Sequence, residues 1–268
     1  MKATRPQVLR WSGGKAIRCR DDLAIEEPLE IRLDTQPVTV TMRTPGHDKE
    51  LAAGFLLSEA IVKCREDIRA LQPYARNRDG NVLDVFLNPS AQFDPKRLTR
   101  HFFASSSCGL CGKATADAVR QHFPPVRARF SVPAELLLTL PAQMRAAQTA
   151  FERTGGIHAA AVFTRRGELL VVREDIGRHN AVDKVIGYGL LKGRLPFSRH
   201  ILLVSGRASF EILQKALAAR FAVVCSVSAP SNLAVEFARA SGQTLVGFLR
   251  DRSLNVYTGR ARVCFRRE

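Results

Sequence analysis

Beyond Pro124-Pro125 the chain alternates short, apolar, β-branched runs with amphipathic helical runs, and this order constrains the fold more than any other feature. Pro141 to Arg153 reads as a helix closed by Gly155 and Gly156. Ala159 to Thr164 and Glu168 to Val172 read as strands joined by the Arg165-Arg166-Gly167 turn. A helix from Arg178 to Leu191, a strand Ile201 to Val204 and a helix Ser209 to Arg220 follow. Then come a strand Ala222 to Val227, a helix Asn232 to Ala240, and strands Thr244 to Leu249 and Asn255 to Tyr257. Strands this short and this apolar are buried on both faces, so the pattern predicts an α/β fold with helices on either side of one sheet.

The first part of the chain reads differently. Glu30 to Leu33 and Val38 to Met42 alternate across Asp34-Thr35-Gln36-Pro37 and predict a hairpin. His47 to Val62 carries Leu51, Phe55, Leu56 and Ala60 at helical spacing behind Pro45-Gly46. A second hairpin ends in Val82 to Leu87 and turns at Asn77-Arg78-Asp79-Gly80. Two domains are expected, a mixed α+β unit over 1–125 and a larger α/β unit over 126–268.

No apolar run reaches the roughly 18 residues of a membrane span. The basic N-terminus lacks the apolar stretch of a secretory signal, so a cytoplasmic protein is expected. In a reducing compartment six cysteines do not imply a disulfide framework. The formal charge of +16 suits either an anionic partner or simply a solvated basic surface, and the arginines are scattered from Arg5 to Arg267. Lacking a lysine block or an aromatic-interleaved stripe, the sequence points to neither nucleic acid nor membrane.

Cys108 and Cys111 stand out. They lie in Ser105-Ser106-Ser107-Cys108-Gly109-Leu110-Cys111-Gly112, ahead of a helix expected from about Lys113 to His122. A helix start and a nearby lysine both favour the thiolate, the form that attacks and leaves as sulfur. Paired thiols let one carry a load and the other resolve it. A structural zinc site would need two further ligands, and Cys19, Cys64, Cys225 and Cys264 are isolated. Two merely buried thiols would be the bland alternative, for which serine and glycine are poor packing material. The spacing does not by itself separate disulfide exchange from persulfide carriage.

Five further segments complete a recognisable set: Gly-Gly-Ile-His-Ala-Ala (155–160), Arg-Glu-Asp-Ile-Gly-Arg-His-Asn-Ala-Val-Asp-Lys (173–184), Ser-Gly-Arg-Ala-Ser-Phe-Glu (205–211), Ser-Ala-Pro-Ser-Asn-Leu-Ala (228–234) and Gly-Phe-Leu-Arg (247–250). With the cysteine segment, they closely resemble the FdhD family along most of the chain and in family order. The resemblance implies a sulfurtransferase that serves formate dehydrogenase. It would carry persulfide sulfur from a cysteine desulfurase to the molybdenum cofactor, a bis(molybdopterin guanine dinucleotide). On this basis Cys108 is the persulfide carrier and Cys111 its partner. Phe248, Leu249, Arg250, Asp251, Arg252 and Ser253 form the cofactor-binding stretch. A chaperone that holds the cofactor without covalent transfer is the alternative. A homodimer is expected.

The resemblance also implies a cytidine-deaminase-like three-layer α/β/α second domain. Zinc deaminases need His-x-Glu at one helix start and Pro-Cys-x-x-Cys at the next. Here those starts read Asp175-Ile-Gly-Arg-His and Ser205-Gly-Arg-Ala-Ser, and His158 is followed by two alanines, so neither zinc nor deamination is expected. Gly177-Arg178 and Gly206-Arg207 instead suit phosphate oxygens, with Arg178 and Arg207 as candidate ligands. His158 and His179 fit a pocket or the core equally well.

Overall fold

The computed structural model describes residues 4–75, 79–91 and 123–265. Cys108, Cys111 and the helix expected from Lys113 to His122 lie outside the described residues, as do Asn77 and Arg78 of the second expected turn.

The chain begins with β1 (Gln7–Ser12) and β2 (Lys15–Arg20), an antiparallel pair turning on Gly13-Gly14. A four-stranded sheet follows, built from β3 (Glu27–Leu33), β4 (Gln36–Arg43), β5 (Ile68–Pro73) and β6 (Val82–Leu87) in the order β4-β3-β6-β5. Both expected hairpins are present, and β3 also pairs with β6 in parallel. Helix α1 (Asp48–Ser58) lies between β4 and β5 in sequence and buries Leu51, Leu56 and Leu57.

After β7 (Val132–Pro133) come α2 (Ala134–Ala146) and α3 (Thr149–Thr154). The single helix expected from Pro141 to Arg153 is therefore two helices, the first starting seven residues earlier with Pro141 inside it. Leu137, Leu140 and Met144 form its buried stripe. The break has a physical cause in Glu174, whose carboxylate accepts hydrogen bonds from Ala150 N and Phe151 N, both at 2.8 Å. Those two donors have no partner inside a new helix, and a carboxylate is the favoured group at the positive end.

The rest builds a six-stranded sheet. Its elements are β8 (His158–Thr164), β9 (Leu169–Asp175), α4 (Arg178–Leu191), β10 (His200–Val204), α5 (Phe210–Ala218), β11 (Val223–Ser226), α6 (Asn232–Ala240), β12 (Thr244–Arg250) and β13 (Ser253–Thr258). The strand order is β13-β12-β11-β10-β8-β9, with β10, β11 and β12 parallel and the outer pairings antiparallel. A short β14 (Val263–Cys264) pairs with β7.

The period-2 alternation of the strands sorts their side chains between two cores. Ala160, Val162, Leu202, Val204, Val224 and Leu245 face α4, α5, α6 and α1. Ala161, Phe163, Ile201, Leu203, Val223 and Val246 face α2. The expected α/β/α layering is the observed one. At roughly 1.5–3 kcal/mol per fully buried large apolar side chain, these two faces supply the main stabilising term.

Helix α1 packs across α4 so closely that neither helix has room for a side chain at the crossing. A Cβ on Gly54 would sit 1.9 Å from the Asp183 carbonyl oxygen, and one on Gly187 would sit 1.8 Å from that of Glu50. Beside this crossing a buried ion pair joins α4 to α5, where Lys215 Nζ lies 2.8 Å from Asp183 Oδ2 and donates to Ser58 Oγ at 2.9 Å. No helix among the described residues is long and apolar enough to cross a membrane.

Candidate functional site

The parallel strands β10, β11 and β12 end together, and α4, α5 and α6 all begin at that same edge. Crevices at the carboxyl ends of parallel strands are where open α/β sheets bind ligands. Gly177 caps α4 in an extended conformation, and among the described residues no side chain satisfies the helix's first amides. These open donors are a ready anion site. Ser231 does cap α6, accepting from Ala234 N at 3.2 Å.

The turn before α4 is held by one carboxylate. Asp175 is fully buried; its Oδ1 accepts from Gly177 N (2.8 Å) and Asn180 Nδ2 (3.0 Å). Its Oδ2 accepts from Thr44 N (3.2 Å) and lies 2.6 Å from Lys184 Nζ. Lys184 spends its other two protons on Thr44 O (2.9 Å) and Glu174 O (3.3 Å). A buried charge pair is tolerated only when its remaining hydrogen-bonding capacity is filled, as here. Lys184 offsets the Asp175 charge, while from α5 the Glu211 carboxylate, 3.8 Å from His179 Nε2, faces Arg178 and the start of α4.

Arg178 is the first residue of α4, half-buried, and its Nε has no hydrogen-bond partner among the described residues. Gly206 lies against it, since a Cβ there would come 3.7 Å from Arg178 Cβ and 3.3 Å from His158 Nδ1. The row continues through Ser226, whose Oγ donates to Gly206 O (2.7 Å), or to Ser228 O, 3.0 Å away, and to Phe248 N, which donates to Ser228 O (3.0 Å). Gly247 is equally confined, because a Cβ would meet Pro230 Cδ at 2.8 Å. Both glycines are thus packed against neighbouring groups of this edge, Gly206 with little room for a Cβ and Gly247 with none.

The sequence candidates divide among distinct environments. Phe248 takes a left-handed backbone (φ 49°), where the β12–β13 pairing is irregular. Leu249 is buried in the α2-side core, so its side chain belongs to packing. Arg250, Asp251, Arg252 and Ser253 are exposed around the turn into β13, with the Arg250 guanidinium 5.9 Å from the Phe248 ring. Arg207 is exposed but precedes the Ser209 cap of α5 by two residues, so it flanks that helix start rather than forming it.

Both histidines line this edge. Burial, with Arg178 nearby, lowers the His158 pKa. Burial, then Lys215 and Arg178, pull His179 down to about 4, leaving it neutral at pH 7. Its Nε2 lies 3.4 Å from Ser209 Oγ. Asp175, Thr44 and the Ser226 hydroxyl were not among the sequence candidates; Asp175 alone was signalled, inside the 173–184 segment.

Among the described residues, no three His, Cys, Asp or Glu side chains converge as metal ligands would. Cys225 is buried in β11 and burial raises its thiol pKa, which keeps it protonated and inert. Cys19 is half-buried, and Cys64 and Cys264 are exposed.

The family model FdhD/NarQ matches residues 24–264. The chain is 50% identical over 274 residues to the sulfur carrier protein FdhD of Streptomyces avermitilis, covering 98% of this chain and 96% of that one. The FdhD protein of Mycobacterium tuberculosis is 51% identical (96% and 97% covered), and that of the archaeon Saccharolobus solfataricus is 38% identical (98% and 99% covered). The fold matches the crystal structure of a proposed formate dehydrogenase accessory protein from Desulfotalea psychrophila, with a TM-score of 0.80, 24% identity, and 98% and 99% of the chains covered. Similarity of this extent, running through the strands and helix starts that build the edge, makes the chain a member of the FdhD/NarQ family.

Proposed function

We propose that the chain is a cytoplasmic sulfur carrier for formate dehydrogenase, taking sulfur from a cysteine desulfurase and delivering it to the molybdenum cofactor. The observation that carries the cofactor half of this reading is the strand-end edge. There the open start of α4, an Arg178 whose Nε lacks a hydrogen bond among the described residues, and two close-packed glycines coincide. A bis-guanine dinucleotide brings several phosphates, the group such an edge recognises best. Arg207 and the exposed residues from Arg250 to Ser253 extend this surface and would contact the cofactor's outlying parts.

The sulfur half rests on Cys108 and Cys111. The Cys108 thiolate attacks the outer sulfur of the desulfurase persulfide, and the desulfurase cysteine leaves as thiolate. Attack of Cys111 on the loaded Cys108 then closes a disulfide and releases the carried sulfur as hydrosulfide, with both electrons coming from the two thiols. Neutral His179 and His158 add no charge to this edge, where Arg178 faces the Glu211 carboxylate.

Mass spectrometry after incubation with a desulfurase and cysteine tests this. One added sulfur atom is expected on the wild-type chain and none on Cys108→Ala. Added sulfur that survives Cys108→Ala but vanishes with Cys111→Ala would exchange the two roles. A Cys108→Ala protein that still supports formate dehydrogenase would leave only a cofactor-holding chaperone.

A further inference from the structure

The opposite edge of the same sheet, where β10 and β12 begin, gathers arginines that lie far apart in sequence. The segment after Pro125 crosses this edge, with Val126 N donating to Ser241 O (2.9 Å) and Arg262 Nε donating to Ala128 O (3.0 Å). Between that segment, the turn before β10 and the end of α5 lies a cleft of about 290 Å³ lined by Arg127, Arg129, Ser198, Arg199 and Arg220. None of its lining residues is acidic.

Arg220 forms the fixed wall. Its backbone is left-handed (φ 67°), and its guanidinium donates to Pro124 O and to Pro125 O, the latter at 3.2 Å. Arg127, Arg129 and Arg199 are exposed and make no ion pair or hydrogen bond among the described residues. Like charges gathered around one concavity repel, and a low-dielectric wall strengthens the repulsion. A carboxylate would relieve it, yet the described residues lining the cleft supply none.

We propose that this cleft is an oxyanion site, separate from the strand-end edge, that takes a phosphate or pyrophosphate group of a small molecule. Planar guanidinium forks match phosphate oxygens in pairs, and Ser198 adds a hydroxyl. At about 30 Å³ per water the cleft holds roughly ten waters, enough for a compact ion with any attached group left outside. It falls at the lower bound of the roughly 300–1,000 Å³ that enclose a drug-sized ligand. The site stands independently of the sulfur-carrier reading.

Calorimetric titration of pyrophosphate into the full chain tests it, beside an Arg127→Gln/Arg199→Gln protein and an Arg178→Gln/Arg207→Gln protein. Both residues of the first variant are exposed and unpartnered, so its thermal unfolding should match wild type. Wild type should show a pyrophosphate-binding component that weakens as salt rises. That component should lose roughly tenfold or more in affinity in the first variant and persist in the second, whatever the second variant loses at the strand-end edge. GDP titrated in parallel identifies the source. Loss of pyrophosphate alone in the first variant marks a free ion, and loss of both marks the phosphates of a nucleotide. The proposal is overturned if wild type binds no pyrophosphate at millimolar concentration. It is equally overturned if the first variant binds as tightly as wild type, or if binding is lost only with Arg178 and Arg207.

Discussion

Replacing Gly54 by alanine should destabilise the protein, reversing the usual sign for that change in a helix. In an ordinary helix interior Gly→Ala gains about 1 kcal/mol from the smaller loss of backbone freedom. Here the added methyl would lie 1.9 Å from the Asp183 carbonyl oxygen, 2.7 Å from its carbon and 2.9 Å from Gly187 N. Carbon–oxygen contacts settle near 3.3–3.6 Å, so the helices would have to move apart by more than an ångström. Every atom in the way is backbone, so no side-chain rotation relieves the clash. Overpacking costs about 1–3 kcal/mol where a site can adjust, and more where it cannot. Separating α1 from α4 also loosens Leu51 and Leu56 against Val182 and Ile186 in the shared core. After subtracting the propensity gain, a net loss of about 2–4 kcal/mol is expected. Urea unfolding followed by far-ultraviolet circular dichroism reads this as a lower midpoint with an unchanged slope. A Gly54→Ala protein as stable as wild type would mean that the helices are not in backbone contact, and the reasoning would fail.

Two further outcomes follow from the buried charges. His179 titrates near 4 in the folded chain against 6.5 when free, so between those values the unfolded chain binds a proton that the native one does not. Stability should therefore fall as pH drops from 6.5 toward 4. His179→Gln should remove up to about 3 kcal/mol of that dependence in urea midpoints compared at pH 7 and pH 4.5; an unchanged profile would refute it. Lys215→Met strands Asp183, fully buried beside Ser58, and should cost about 3–5 kcal/mol by thermal unfolding, with part recovered by adding Asp183→Asn. The same change removes a cation that holds His179 down, so its imidazole resonances should titrate closer to 6.5.

Much of the α/β unit was legible because its local signals agree with its global packing. The helix Arg178–Leu191 and the helix Asn232–Ala240 fall where capping residue and apolar spacing place them. The hairpin β1–β2 was missed although Gly13-Gly14 marks its turn. Leu9, Trp11 and Ile17 are exposed, so no buried face imposes a period-2 pattern. Helix α2 was started late because Pro141 reads as a helix beginning, whereas the Leu137 to Met144 stripe extends to either side of it. Lys184 and Lys215 look like solvent-facing helix residues until carboxylates from other turns and elements are placed beside them. The arginine cleft was illegible for the same reason, since Arg127, Arg199 and Arg220 meet only after the sheet has formed. At the strand-end edge the glycine–arginine pairs were readable as phosphate sites. The carboxylate that fixes the first of them depends on Thr44, 131 residues away.

That distance has a consequence for the order in which the protein can assemble during synthesis. Thr44 and the apolar stripe of α1 leave the ribosome long before Asp175, Lys184 and α4 exist to receive them. At roughly 5–20 residues per second the interval is on the order of ten seconds. Throughout it, Leu51, Leu56 and Leu57 have no α4 to pack on, and the buried lock at Asp175 cannot close. A nascent chain released before Leu191 therefore carries an uncovered helix face and a strand-end edge that has not yet come into being. Until the second half arrives, the first half packs α1 only against its own sheet, with the face meant for α4 left bare.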